Sequence, residues 1–383
     1  MTPLRVGICG LGAAGWAFVP ALRRHPGLRW VAAADAAPHA REDAQREGGV
    51  TVHAGLDEML ALAAPDAVIL ATPTPLHAPQ ALRALAAGVH VLVEKPMAAA
   101  LADAHSMVAA ARQAQRVLMV GHSHGQDGPI RRMRELIQEG AIGALRMLHT
   151  WNHTDWLLRP RRDDELDMSQ GGGVTFRQGA HQFDILRVLA GGMATRIRAH
   201  CDGGPASGRV IGAHQAFIEF EGGVTATAVY NGNGGFSTRE LCFGIGEWGA
   251  PAGAASQPPP SPPDADPLRA KRARARHAID DLAPHPPFFG LTLVSGAHGQ
   301  MHQSPQGLWL HTRDAGRREI ILPVDRAPRD LTLADWHDAM RRPAAKRPDG
   351  RWGLATLELV LQAIASSEAR ETLPLCHQVA ADD

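Results

Sequence analysis

Lys95 gives the first hint of chemistry. It stands in Glu94-Lys95-Pro96, directly after the apolar run Val89-His90-Val91-Leu92-Val93, and the chain has only two other lysines, Lys271 and Lys346, among 39 lysines and arginines. A lysine kept where arginine is otherwise used suits a task that guanidinium cannot perform, because ammonium can lose a proton near neutral pH in a site that lowers its pKa. The end of a strand in an α/β sheet is also where ligands bind. The bland alternative is a surface lysine, since most lysines are exposed. A second group is His122-Ser123-His124. On an extended chain both imidazoles face one way, which makes a metal site conceivable. With no third ligand to be found, no metal is expected, and His122 is expected to line the substrate cleft instead.

The N-terminus has the residues for a dinucleotide. Leu4–Cys9 reads as a buried strand, Gly10-Leu11-Gly12-Ala13-Ala14-Gly15 follows, an apolar helix pattern runs to Arg24, and a second strand, Trp30–Ala34, ends in Asp35. Strand, Gly-x-Gly-x-x-Gly, helix, strand, acid is the order of such a site. Gly10 allows the tight turn, Gly12 lets backbone approach a pyrophosphate, and Gly15 lets helix and strand pack closely, while Ala13 and Ala14 open the helix whose N-terminus faces the phosphates. Asp35, twenty residues after Gly15, is placed to accept bonds from the adenosine ribose hydroxyls and to repel a 2′-phosphate. Ala36 and Ala37 bring no cation, although Arg41 could swing across. NAD is therefore expected ahead of NADP.

These groups need a scaffold, and 383 residues allow two or three domains. An α/β architecture is expected: an N-terminal Rossmann dinucleotide-binding domain over 1–121, an α+β domain over 122–330 with a large, open, mostly antiparallel sheet, and a C-terminal helical segment over 331–383. In the first domain strand and helix alternate as a parallel sheet requires. In the second, strands are expected at Leu145–Trp151, Gln215–Glu221, Val224–Tyr230, Arg239–Ile245, Leu291–Ser295, Leu308–Thr312 and Glu319–Leu322, with one helix over Gly179–Leu189. A final amphipathic helix is expected over Leu354–Ser367. Residues 250–276 join a proline-rich loop to a basic run, read as a solvated face.

Composition removes several function classes. Zero formal net charge gives nothing to draw the chain to nucleic acid or anionic lipid. No apolar run approaches the ~20 residues of a membrane span. Cys9, Cys201, Cys242 and Cys376 are scattered and form no Cys-x-x-Cys pair, and the first strand starts almost at once, without a basic, apolar leader; both features suit reduced thiols in a cytoplasmic protein.

Taken in order, the Gly10-Gly12-Gly15 turn, Thr72-Pro73 with His77 five residues on, Glu94-Lys95-Pro96, Gly179-Ala180-His181-Gln182-Phe183-Asp184 and Asp349-Gly350-Arg351-Trp352-Gly353 make this chain resemble the Gfo/Idh/MocA family of nicotinamide-dependent oxidoreductases. Within that family, Gly171–Asp184, Pro286-Pro287-Phe288-Phe289-Gly290 and Gln303-Ser304-Pro305 are similar to phthalate dihydrodiol dehydrogenases. The resemblance implies hydride transfer between a substrate carbon and nicotinamide C4, with the protein orienting the cofactor and moving protons. It implies a cofactor site built from the Gly turn, Asp35, Thr72, Pro73, His77, Glu94, Lys95 and Pro96. Lys95 would bond the reacting hydroxyl and the nicotinamide ribose, with Pro96 fixing the strand tip through a cis bond. His181 would be the general acid/base, and Asp184, one turn on, would orient it or cap local backbone. A dimer or tetramer built through the open sheet face is implied too, and that face is expected to carry apolar positions such as Phe217, Ile218, Val229 and Leu241.

One position departs from the family. Many members have an acid one turn before the histidine; here it is Arg177, which cannot serve as a base. Arg177 fits an anionic substrate, because Arg forms bidentate bonds to carboxylate, and Arg159, Arg161 and Arg162 could add to such a site or be balanced by Asp163, Asp164 and Glu165. The expected substrate is a carboxylated cyclic diol of the phthalate type. A sugar or polyol dehydrogenase of the same family, and a dinucleotide-binding regulator without turnover, are the alternatives.

Overall fold

The computed structural model describes residues 2–251, 283–342 and 349–381; most of the proline-rich and basic stretch expected over 250–276 lies outside the described residues. The chain divides into two compact units. Among described residues, the first holds 2–121, 329–342 and 349–354, and the second holds 122–251, 283–328 and 355–381.

In the first unit six strands, β1 (Leu4–Cys9), β2 (Leu28–Ala34), β3 (Thr51–His53), β4 (Ala67–Leu70), β5 (His90–Val93) and β6 (Leu118–Val120), form one sheet in the order β3-β2-β1-β4-β5-β6. Every pairing is parallel. Ala67–Leu70 is buried at every residue, as expected where helices cover both sheet faces. The order is that of a Rossmann fold.

The first helix differs from the expected continuous one. It runs only over α1 (Ala13–Trp16) and restarts as α2 (Val19–Arg24), with Pro20 in its first turn. Proline has no N–H to give to the preceding turn, so the helix is interrupted there. The remaining helices of the alternating region are α3 (Pro38–Gly48), α4 (Leu56–Ala63), α5 (His77–Ala86) and α6 (Leu101–Ala114).

In the second unit α7 (Gly128–Gln138) is followed by β7 (Leu145–His153), α8 (Asp163–Leu166), α9 (Ala180–Ala190), β8 (Ala194–Gly204), β9 (Arg209–Phe220), β10 (Thr225–Asn231), β11 (Leu291–Gly296), β12 (Gly299–Ser304), β13 (Gly307–Thr312) and β14 (Gly316–Ile321). Helices α10 (Pro328–Arg341) and α11 (Gly350–Ala369) and the short β15 (Leu373–Pro374) complete the chain. Residues 329–341 of α10 belong to the first unit, where Leu333 and Trp336 are fully buried among Leu11, Phe18, Leu22 and Leu28. Truncating such a tryptophan costs about 3–5 kcal/mol.

The large sheet has nine strands in the order β14-β13-β12-β11-β7-β10-β9-β8-β15. Only β7 and β10 run parallel; the other pairs are antiparallel. One face is buried through Ala216, Ile218, Ala226, Ala228, Leu148 and Val294. The other presents Met147, Trp151 and Phe217 to solvent, with Val229 opposite Trp151 and Thr227 opposite Phe217.

Two expectations for that outer face need correction. Ile218 belongs to the buried face, because adjacent strand residues point to opposite sides. Leu241 is on no strand: the expected strand Arg239–Ile245 is instead a 3₁₀ turn over Thr238–Leu241, followed by Phe243 and Gly244 at φ of 58° and 75°. Two successive left-handed residues cannot continue an extended ladder.

Candidate functional site

In the first unit the candidate residues stand at strand ends. Gly10 has φ of 91°, and a Cβ there would come within 2.6 Å of the Ala71 carbonyl. A Cβ on Gly15 would overlap Gly10 O, whereas one on Gly12 would meet no protein atom within 4 Å. Gly10 and Gly15 are thus required by the chain's own packing, and Gly12 leaves a backbone cradle that a side chain would fill. Asp35 closes the turn: its Oδ2 accepts from Leu11 N at 2.7 Å and its Oδ1 from Ala37 N at 2.8 Å. Each oxygen keeps a lone pair for a further donor. Arg41 donates to Asp35 O at 2.7 Å and Ala36 O at 2.9 Å.

The next two strand ends are tied together by His77. Its Nε2 lies 2.8 Å from Thr72 O and its Nδ1 2.9 Å from Pro96 O, so one buried ring joins the turn after β4 to the turn after β5. Thr72 Oγ1 donates to Gln80 at 2.6 Å. The Lys95–Pro96 peptide is cis. Lys95 N donates to Glu94 Oε2 at 3.2 Å, and Glu94 is buried with Arg329 3.7 Å from its other oxygen. These residues fit a nicotinamide dinucleotide: a glycine cradle, an acid at the end of β2, and a partly buried lysine at the tip of β5.

In the second unit His181 opens α9 and is buried. The helix is preceded by a π-turn over Thr175–Gly179, which carries Arg177. The His181 ring meets the His124 ring edge-on, with centroids 4.7 Å apart, and Phe289 at 5.0 Å. Phe289 comes from the Pro-Pro-Phe-Phe-Gly segment. Gly290 has φ of 74° there, and Gln303 Nε2 donates to Pro287 O at 2.8 Å. Asp184 faces His122, with Oδ1 3.7 Å from Nδ1. A Cβ on Gly125 would overlap Asp184 Oδ2, so this carboxylate is packed against the His124 turn.

The extended reading of His122-Ser123-His124 is corrected here. Ser123 is helical in its backbone and His124–Gln126 is a 3₁₀ turn, so the two imidazoles diverge: His122 to Asp184, His124 to Asp127 and Glu247. Among the described residues no group of three or more His, Cys, Asp or Glu could hold a metal ion.

The arginines lie among carboxylates. Arg162 takes Asp164 with two bonds at 2.6 and 2.8 Å. Arg161 lies 3.7 Å from Glu165 and over the Trp156 ring. Arg159 is half exposed and bonds Asp155 at 2.7 Å. Arg177, mostly buried, approaches Asp164 O and Oδ2 at 3.4 and 3.5 Å. Arg162 first, and Arg177 further off, hold the Asp164 carboxyl below its ordinary range against the opposing effect of burial.

Sequence reasoning missed Asp127, Glu247 and Trp248, and singled out Phe289 only for the family likeness. Asp127 is three residues from His124, but Glu247 is 123 residues away, and only the folded chain brings it in.

A family model for the oxidoreductase family with an NAD-binding Rossmann fold matches residues 4–122, and the GFO/IDH/MocA C-terminal domain matches 130–240. The 1-carboxy-3-chloro-3,4-dihydroxycyclohexa-1,5-diene dehydrogenase of Comamonas testosteroni is 38% identical over 247 residues, covering 64% of this chain and 62% of that protein. The 1,5-anhydro-D-fructose reductase of Ensifer adhaerens is 30% identical over 319 residues, covering 80% of this chain and 79% of the relative. A solved structure from Bordetella bronchiseptica RB50, assigned as a dehydrogenase, superposes with a TM-score of 0.87 at 33% identity, covering 97% of this chain and 100% of the other. The chain belongs to the Gfo/Idh/MocA family of NAD-binding oxidoreductases. No helix among the described residues is long and apolar enough to cross a membrane.

Proposed function

We propose that this protein is an NAD-dependent dehydrogenase acting on a carboxylated cyclic diol. The observation that carries the substrate class is Arg177, a mostly buried guanidinium on the π-turn that leads into the His181 helix. Guanidinium cannot act as a base, and its fork matches a carboxylate. The similarity to a dehydrogenase whose named substrate is a carboxylated dihydroxycyclohexadiene supports the same class.

In this reading the Gly10–Gly15 turn and Asp35 hold the dinucleotide, with Thr72, Pro73, His77, Glu94 and Pro96 shaping the nicotinamide end. The cofactor, when bound, supplies the hydride acceptor. Lys95 hydrogen-bonds the reacting hydroxyl, His181 takes its proton as the carbon gives up hydride, and Arg177 binds the substrate carboxylate, with His122, Asp184 and Arg159 as further substrate-side groups. The substrate loses one hydride and one proton, and a carbonyl remains.

The test is a panel of carboxylated cis-dihydrodiols, neutral diols and polyols, scored by nicotinamide fluorescence. Carboxylated diols should give the highest kcat/KM. A preference for neutral polyols would replace this reading with a sugar or polyol dehydrogenase of the same family. Absence of turnover on every compound would favour a dinucleotide-binding regulator.

A further inference from the structure

We propose that His124 is a positioning residue for His181: a permanent imidazolium, fixed between Asp127 and Glu247, that sets the ring orientation of His181 and holds a positive charge beside it. The proposal rests on the reading of His181 as the acid/base, but its first half stands on geometry alone. His124 is fully buried. Its Nδ1 lies 3.0 Å from Asp127 Oδ2 and its Nε2 3.3 Å from Glu247 Oε1. Ionised carboxylates only accept, and a neutral imidazole has one donor, so two such bonds require both nitrogens to carry protons.

The energetics agree with the geometry. Burial opposes charge on His124, but Asp127 and then Glu247 more than offset it, and the imidazole is pushed up to about 9. Burial raises Asp127 to about 6 against the pull of His124, so this carboxyl is still mostly ionised at neutral pH. Phe289 stacks on His124 at 4.4 Å and Trp248 lies tilted at 5.2 Å, which fixes the ring plane and offers aromatic faces to a cation. The rings of His124 and His181 then meet at 75°.

Other charged or titratable groups surround this pair. Glu247 acts electrostatically on Arg159 and on the buried Tyr230. On α9, Asp184 stands with His122 and acts on the buried Arg187. The His124 ring meets the His181 ring edge-on, with centroids 4.7 Å apart. A neighbouring cation favours the uncharged form of a histidine. That is the form able to take a substrate proton, and the same charge hastens its release to solvent.

Two measurements test this. In the ¹⁵N-histidine spectrum of the intact protein at neutral pH, the signals lost in His124→Gln should show both nitrogens protonated; a neutral tautomer overturns the proposal even if the variant folds poorly. Next, kcat/KM against pH is compared for wild type, His124→Gln and His181→Ala. In His124→Gln the acidic limb should move up by about one pH unit, a change that lost packing alone would not produce. An unmoved limb, with His181→Ala inactive, overturns the positioning role. Should the limb persist in a still-active His181→Ala, the assignment of His181 fails instead, and the spectrum still decides the charge on His124.

Discussion

His214 Nε2 donates to Gln182 Oε1 at 3.0 Å, and the same glutamine donates to Val229 O at 2.9 Å. One side chain of α9 is thereby bonded to both β9 and β10, and His181 is the residue before it. Thr175 Oγ1, at 3.2 Å, donates to His214 Nδ1 and ties in the start of the π-turn as well. A neutral imidazole is satisfied by this pair of bonds, one given and one taken.

Stability should therefore depend on the protonation of His214. Burial lowers its pKa to about 3, below the unfolded value of ~6.5. The unfolded chain binds the proton first, so this stability is fully present above about pH 6.5 and is lost as pH falls toward about 3. The limiting slope is ~1.4 kcal/mol per pH unit. His90 in the first unit, lowered to about 4 by burial and then Arg116, contributes in the same direction. Denaturant unfolding of wild type and His214→Gln across this window isolates the His214 share; equal pH slopes would show that His214 does not titrate as described.

Lys95→Ala and His181→Ala should each lower kcat by ~10²–10⁴-fold, the usual contribution of a general acid/base. Dissociation constants for NAD, from quenching of tryptophan fluorescence, should change much less. Near-normal turnover in both variants would remove the proposed mechanism.

NAD should bind more tightly than NADP. The Asp35 carboxylate sits at the end of β2 against the Gly10–Gly15 turn, and Arg41 is bonded to the carbonyls of Asp35 and Ala36. Side-by-side titration of the two cofactors checks this, and Asp35→Ala should narrow the difference by about tenfold or more, as expected when one like-charge repulsion of ~1.4 kcal/mol is removed. Tighter NADP binding by wild type would reverse the assignment.

Arg177→Gln should reduce kcat/KM for a carboxylated diol by about 10²-fold, matching ~1.5–3 kcal/mol for a bond to a charged group. Activity on neutral diols should change little. Equal losses on both substrate classes would mean that Arg177 supports the π-turn and does not read the carboxylate.

A second copy of the chain is the expected cover for the outer sheet face, where Met147, Trp151 and Phe217 remain 42–47% exposed and apolar patches of this kind commonly mark interfaces. Light scattering at micromolar concentration should give a dimer or tetramer, and Trp151→Glu combined with Phe217→Arg should give a monomer. A monomeric wild type would contradict this.

The parallel sheet was legible because its central strands are continuous apolar runs punctuated by Gly and Pro. Three strands of the larger sheet were missed. β8 alternates its buried Ile197, Ala199 and Cys201 with Arg196, Arg198 and His200, and β12 is mostly polar. β8 thus carries the period-2 pattern of a half-buried strand, whereas the strand character of β12 comes from the ladder to neighbouring strands, which no local window contains. β15 is two residues long. The opposite error occurred at Arg239–Ile245, where an apolar-polar alternation folds as a turn. At the candidate site Lys95 could be picked out by type and position, and His181 and Arg177 through the family resemblance. The ion triplet around His124 could not, because its second carboxylate arrives from a loop far along the chain.

Tyr230 is the only tyrosine in the chain. It is 2% exposed, shares a hydrogen bond with Thr154 Oγ1 at 3.0 Å, and has its pKa raised first by burial and then by Glu247. The folded protein therefore carries no phenol that alkali can ionise at its ordinary pH. In alkali, tyrosinate absorbance becomes a one-residue optical reporter: silent while Tyr230 stays buried, and switched on when the packing around β10 opens.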